Sequence, residues 1–206
     1  MANLISHDGL GRRIEISATG TGEDVDPYII GFGSTPIASE IHIGEVGGRM
    51  NSASPSFSRP SDTTAYTAKD AVSDSTGSPT VLSFNLARVA AGSGYIVRAL
   101  LITNQSTCTA RFRLHLFRTS PTAINDNSQH TLLWANRTAS AGYIDFSACA
   151  TEGTGSDCAQ SLNDTVRLPV IFAGGSTTIY GLLETLDAFT PASGQSFTIK
   201  LNADVN

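Results

Sequence analysis

Between Ala110 and Leu116 apolar and polar side chains trade places at every residue (Ala-Arg-Phe-Arg-Leu-His-Leu). A period of two fits a strand with one buried face and excludes an amphipathic helix. Ser196-Phe-Thr-Ile-Lys-Leu-Asn202 repeats the pattern. From about Pro79 onward, segments of strand character follow one another: Thr80–Val89, Tyr95–Asn104, Thr107–Arg118, His130–Asn136, Gly142–Ser147, Val166–Phe172, Thr177–Leu186 and Ser196–Asn202. Turn chemistry stands between several of them, at Gly92-Ser-Gly94, Ala173-Gly-Gly-Ser176 and Ser193-Gly194. No helical period exceeds two turns, with Leu86–Ala91 as a brief candidate. Eight strands in one block predict an all-β fold, an antiparallel β-sandwich of the jelly-roll type. An immunoglobulin-like sandwich ranks second, because Cys108, Trp134 and Cys149 lack the expected Cys–Trp–Cys placement.

The first part of the chain differs. Residues 1–62 are polar and broken by Gly and Pro, and are expected to form an extended N-terminal arm and linker, with the sandwich domain at 63–206. Asn51–Asp62 (NSASPSFSRPSD) is poor strand material and reads as an extended linker. Ahead of it lie three short strand-like pieces, Arg13–Ser17, Tyr28–Ile30 and Glu40–Val46. They bury too little apolar area to offset the entropy of ordering, so they need a surface to lie against. Ile41, Ile43 and Val46, with His42 between the isoleucines, form one set of candidate partner-binding residues, and Tyr28 and Ile30 a second. Adding a strand to their own domain is the alternative.

Composition narrows the function. Only 15% of the 206 residues are charged and the net charge is −5. The arginines are scattered, so no basic stripe points to nucleic acid. No apolar run reaches the roughly 18 residues of a membrane helix, and no secretory signal opens the sequence, so synthesis in a cytosol is expected. Cys108, Cys149 and Cys158 are too few for a disulfide framework and are expected as free thiols, with a Cys149–Cys158 bridge as the alternative.

Catalytic patterns are missing: there is no G-x-S-x-G elbow, Walker loop or H-E-x-x-H. The expectation is a non-enzyme without cofactor or metal. His7, His42, His115 and His130 are not spaced as a metal pair. Glu23, Asp24 and Asp26 are an acidic group without the glycine turn and distal glutamate of a calcium loop, and Asp145, with Glu152 and Asp157 in the Gly-rich loop, is a second acidic cluster. Tyr95, Trp134, Tyr143 and Tyr180 are candidates for stacking on sugar rings, although Leu132 and Leu133 favour core packing for Trp134. The polar stretch Ser120–Asn127 reads as a long loop suited to contacts.

Three segments carry a resemblance: Arg59-Pro-Ser-Asp-Thr-Thr-Ala-Tyr-Thr-Ala-Lys-Asp-Ala-Val72, Leu114-His-Leu-Phe-Arg-Thr-Ser-Pro-Thr-Ala-Ile-Asn-Asp-Asn127 and Thr177-Thr-Ile-Tyr-Gly-Leu182. With His42-Ile-Gly-Glu-Val-Gly-Gly48, they are similar to small virion proteins of tailed bacteriophages. The resemblance implies a bacteriophage particle component, such as a head decoration (cement) protein. Such a protein sits on the capsid surface, is made in the host cytoplasm, and has the major capsid protein and copies of itself as partners, a trimer being the oligomer that suits a shell's local three-folds. It implies no catalytic residue. The competing reading is a carbohydrate- or receptor-binding module of a tail or fibre.

Overall fold

The structure, a computed structural model, describes residues 3–7, 13–19 and 29–31 as backbone strands and residues 50–205 in full. The chain divides into two units, Met1–Gly47 and Gly48–Asn206.

In the first unit, β1 (Asn3–His7), β2 (Arg13–Thr19) and β3 (Ile29–Gly31) form a three-stranded antiparallel sheet in the order β1-β2-β3. The expected pieces 13–17 and 28–30 fall largely within β2 and β3. Asn3–His7 joins them as a strand that its sequence did not announce. These segments therefore hydrogen-bond to one another, where an extended arm was expected. The third expected piece, 40–46, lies outside the described residues.

The second unit is built from β4 (Met50–Ala53), β5 (Ser56–Ser58), β6 (Ala71–Val72), β7 (Leu82–Asn85), β8 (Ser93–Thr103), β9 (Phe112–Phe117), β10 (Ser140–Phe146), β11 (Ala150–Thr151), β12 (Ala159–Asn163), β13 (Leu168–Ile171), β14 (Thr178–Thr185) and β15 (Ser196–Val205). Three of its positions are interrupted strands. β4 and β5 both lie along β15, β6 and β7 both along β14, and β12 and β13 both along β8. Counting each pair as one position gives eight. One sheet then reads 1-8-3-6 and the other 2-7-4-5, with β11 added at the rim of the first. This is the jelly-roll order of two Greek keys, the expected fold, although one of the eight expected strands is absent and the β4–β5 position, not foreseen as strand, completes the eight.

The core follows the alternation. Phe112, Leu114 and Leu116 of β9 are fully buried while Arg113 and His115 face out. Phe197, Ile199, Leu201, Ala203 and Val205 of β15 are buried at every second position. Phe112 meets Phe197 edge-on at 5.5 Å. In β8 the phase slips, with Ile96 buried and then Ala99, Leu101 and Thr103. The pairing with β15 passes from Arg98 to Ile96, leaving Val97 as the extra residue of a bulge.

Three expectations need correction. Residues 51–62 do not form a free linker. Met50–Ala53 and Ser56–Ser58 are extended, but they pair with β15, and Phe57 stacks on Phe197 at 5.5 Å. Small polar residues suffice there because the strand lies at a sheet edge and needs only a few inward side chains. Conversely, His130–Asn136 is not a strand. It ends in a single 3-10 turn, Trp134–Asn136, because its apolar residues are consecutive and cannot share one face of a pleat. Leu86–Ala91 forms no helix.

Candidate functional site

Residues 118–133 leave β9 and run beside the short strand β6 before returning to β10. We refer to them as the strap. Asn127 N–H donates to the Ala71 carbonyl at 3.0 Å, Ala71 N–H to Ser128 at 2.8 Å, and His130 N–H to Lys69 at 2.8 Å. Lys69 has a φ of 76°, a left-handed conformation rare outside glycine.

A buried polar cluster fixes the strap. Arg59 and Asp126 side chains are 0% and 1% exposed and pair at 3.1 Å. Tyr66 Oη donates to Asp126 Oδ1 at 2.6 Å, and Arg59 Nε donates to Tyr66 Oη at 2.9 Å. Ser73 N–H donates to the same carboxylate oxygen at 2.9 Å, and Arg59 Nη1 donates to the Asp62 carbonyl at 2.6 Å. Burial, reinforced by the hydrogen bond to Asp126, pushes the Tyr66 phenol up. Two of the segments that resemble virion proteins thus meet here. Arg59 and Tyr66 belong to one and Asp126 to the other, and their shared role is to pin a loop to the sandwich. Asp70 serves the same region by accepting from Thr67 N–H at 2.6 Å and Thr67 Oγ1 at 2.8 Å.

The pinned strap carries His130 onto the outer face of the second sheet. The His130 ring stacks on His115 of β9 at 3.9 Å, with 12° between the planes. His115 Nε2 and Glu184 Oε2 of β14 are 2.6 Å apart. Glu184 is buried, and His130 Nε2 is buried without a hydrogen-bond partner. Burial first, then the neighbouring His115, pushes His130 down to about 4; Glu184 opposes this shift and Arg113 adds to it. Arg113 is engaged beside the cluster. Its Nε and Nη2 donate to Asp145 at 2.6 and 2.9 Å, and its guanidinium lies 4.0 Å over the Tyr143 ring.

Past His130 the chain exposes three large apolar side chains in succession. Leu132 and Leu133 are about half exposed and Trp134 is 78% exposed, with Arg137 4.0 Å over the indole. Core packing for Trp134 is thereby overturned. The preceding apolar pair does not turn inward, because the segment lies outside both sheets. Tyr95 and Tyr143 are also exposed, while Tyr180 is half-buried.

Of the arm residues singled out from sequence, Ile30 lies in β3 opposite Ala18. Tyr28, Ile41, His42, Ile43 and Val46 lie outside the described residues, as do Glu23, Asp24 and Asp26. Asp145 is taken by Arg113. Among the described residues, the group of three possible metal ligands is His115, His130 and Glu184. Sequence spacing had kept the histidines apart, because β9, β14 and a loop supply the three side chains. The outward phase of β9 and β14 was legible, but the return of the strap was not. The cysteines are free, and the buried Cys149 thiol neighbours Cys108 rather than Cys158. Its hydrogen bond holds Cys108 down to about 7, despite burial.

No protein-family model matches the chain, and no curated protein matches it. Among solved structures, the chain is similar to one in the native virion of Kashmir bee virus at neutral pH. The identity is 11% and the TM-score 0.32, with 99% of this chain and 90% of that chain covered. A likeness of that size carries no argument, and the functional reading rests on the molecule itself.

Proposed function

We propose that the protein is a structural component of a virus particle, most specifically a bacteriophage capsid decoration protein that binds the major capsid protein shell and copies of itself and performs no catalysis. The observation that carries this reading is the Leu132-Leu133-Trp134 segment. Three large apolar side chains stand in solvent where a strap anchored by a buried ion pair runs into the 3-10 turn. Such a segment is preorganised for a protein surface, so binding costs little ordering entropy, and exposed Trp is a frequent interface anchor. The jelly roll supplies a rigid support of a kind used by capsid and lectin domains, although fold alone does not define function. The low charge and the motif resemblance agree with this assignment.

The test is a count of copies per purified particle, together with binding of the purified protein to expanded, empty shells. Many copies per particle are expected, with binding lost in Trp134→Ala and Leu133→Ser. A few copies confined to a tail would reject the assignment. Removal of residues 1–47, which leaves β4 intact, measures what the first unit adds.

The exposed indole also favours the carbohydrate- or receptor-binding alternative, since a Trp face flanked by Arg137 can stack on a sugar ring. A glycan-array signal abolished by Trp134→Ala, without shell binding, would select it.

A further inference from the structure

We propose that His115, His130 and Glu184 form a binding site for a divalent transition-metal ion of the zinc type, which cross-links the strap to strands β9 and β14. This inference does not depend on the virion reading. The donor atoms, two imidazole nitrogens and a carboxylate oxygen, all lie within 4.8 Å of one another. A tetrahedral zinc ion takes such ligands at about 2.0–2.2 Å, so the donors must draw together and the two imidazoles, now stacked with 12° between their planes, must turn out of the stack for their lone pairs to converge. Two nitrogens and one oxygen are the donor set that suits zinc, whereas calcium and magnesium prefer oxygen alone.

The state of His130 is the second, independent observation. Its Nε2 is buried with no partner, an arrangement that leaves the group's desolvation uncompensated. A metal ion would give this nitrogen the partner it lacks. His115 Nε2 now faces Glu184 at 2.6 Å. On binding, the proton on His115 Nε2 is exchanged through solvent for one on Nδ1, so that the neutral ring turns its Nε2 lone pair to the ion, and Glu184 changes from hydrogen-bond acceptor to ligand. The positive charge nearest the site, Arg113, is offset by its two hydrogen bonds to Asp145. The side chain of His115 is 20% exposed, so solvent can reach the cluster and water can complete the coordination.

The anchor for this geometry precedes the ion. His130 N–H is held by Lys69, and Gln129 is bridged to Asp70, so the third ligand is delivered by backbone pairing. Binding would stiffen the strap two residues before Leu132.

The experiment titrates the full-length, chelator-treated protein with Zn²⁺ in a calorimeter and, in parallel, with Co²⁺ followed by visible absorption. One ion per chain is expected, with tetrahedral cobalt bands and a Zn²⁺-dependent rise in melting temperature. Glu184→Gln, which keeps shape, and His130→Ala should each weaken binding by more than the roughly 10–100-fold that outer-shell changes cost. Melting curves of both variants without metal establish that they fold; if His130→Ala does not, His130→Asn takes its place. Cys158→Ser should bind as the parent does. Absence of stoichiometric binding overturns the proposal. So does binding that survives Glu184→Gln and His130→Ala, or a sulfur-to-cobalt charge-transfer band that assigns the ion to cysteines.

Discussion

Replacing Asp126 by Ala should be the most destabilising single change in the strap, and its size can be worked from the contacts. Its carboxylate accepts from Arg59 Nη2 at 3.1 Å, Tyr66 Oη at 2.6 Å and Ser73 N–H at 2.9 Å. Loss of one partner of a buried ion pair costs about 3–5 kcal/mol, because the other charge stays buried. Arg59 keeps Asp62, whose carboxylate and carbonyl both accept from it, so the lower end, about 3 kcal/mol, is expected. At a urea slope of about 2 kcal/mol/M this moves the unfolding midpoint down by about 1.5 M, and the melting temperature by about 6–12 °C for a unit of this size. The slope itself should not change, since the same surface is exposed. Changing both partners, Arg59→Met with Asp126→Leu, should recover much of the loss, because an apolar pair carries no desolvation cost. Urea unfolding followed by tryptophan fluorescence and by circular dichroism measures both. A loss below about 1 kcal/mol for Asp126→Ala, the size of an exposed ion pair, would refute the view that this cluster holds the strap.

Other substitutions probe other levels of the structure. Gly94→Ala should cost about 1–3 kcal/mol by overpacking, because an added Cβ would lie 2.1 Å from the Asp204 carbonyl and 2.7 Å from Val205 Cα, both backbone atoms; thermal denaturation reads the result. Trp134→Ala should leave stability within about 0.5 kcal/mol of the parent, as for other exposed positions, so any lost binding is not lost folding. Mild oxidation should join Cys108 to Cys149 and leave Cys158 open to alkylation; a Cys149–Cys158 peptide in the mass map would contradict the neighbour relation described above. Arg111 holds the Asp187 carboxyl below its ordinary value of 3.8, so that pair stabilises the fold above this pH and its contribution is lost as pH falls through the lower folded value. Asp187→Asn should therefore cost about 0.2–1 kcal/mol near neutrality, as for exposed ion pairs, and nothing in strong acid; a pH series of melting curves tests the sign.

The second unit was readable wherever burial writes a period of two. Phe112, Leu114 and Leu116, and then Phe197, Ile199 and Leu201, announced their strands and their inward faces. Reading failed where burial is slight. Ala159 and Ser161 of β12 turn small side chains inward, and Ser56-Phe-Ser58 offers one aromatic between serines, so hydrogen bonding to a long neighbour rather than side-chain volume makes these strands. The opposite error occurred at Leu132-Leu133-Trp134, where apolar content was equated with burial. The His115–His130–Glu184 cluster lay beyond sequence reach for a different reason: its three side chains come from elements far apart in the chain, and only the path of the strap brings His130 to the other two. The partner-binding residues proposed for the arm lie, except for Ile30, outside the described residues, and removal of residues 1–47 tests them.

β15 follows β4, β5 and β8 in the chain by some ninety residues or more, yet it lies in the interior of the seven-stranded sheet, between β8 on one side and β4 and β5 on the other. During translation, β4, β5 and β8 emerge long before the segment that joins them, and they must wait with unpaired edges until Ser196–Val205 clears the ribosome. Closure of the sheet then waits on β15, and the nascent chain is exposed to wrong pairing until that strand has emerged. A premature stop codon near residue 196 would not trim a tail but remove the keystone of a sheet.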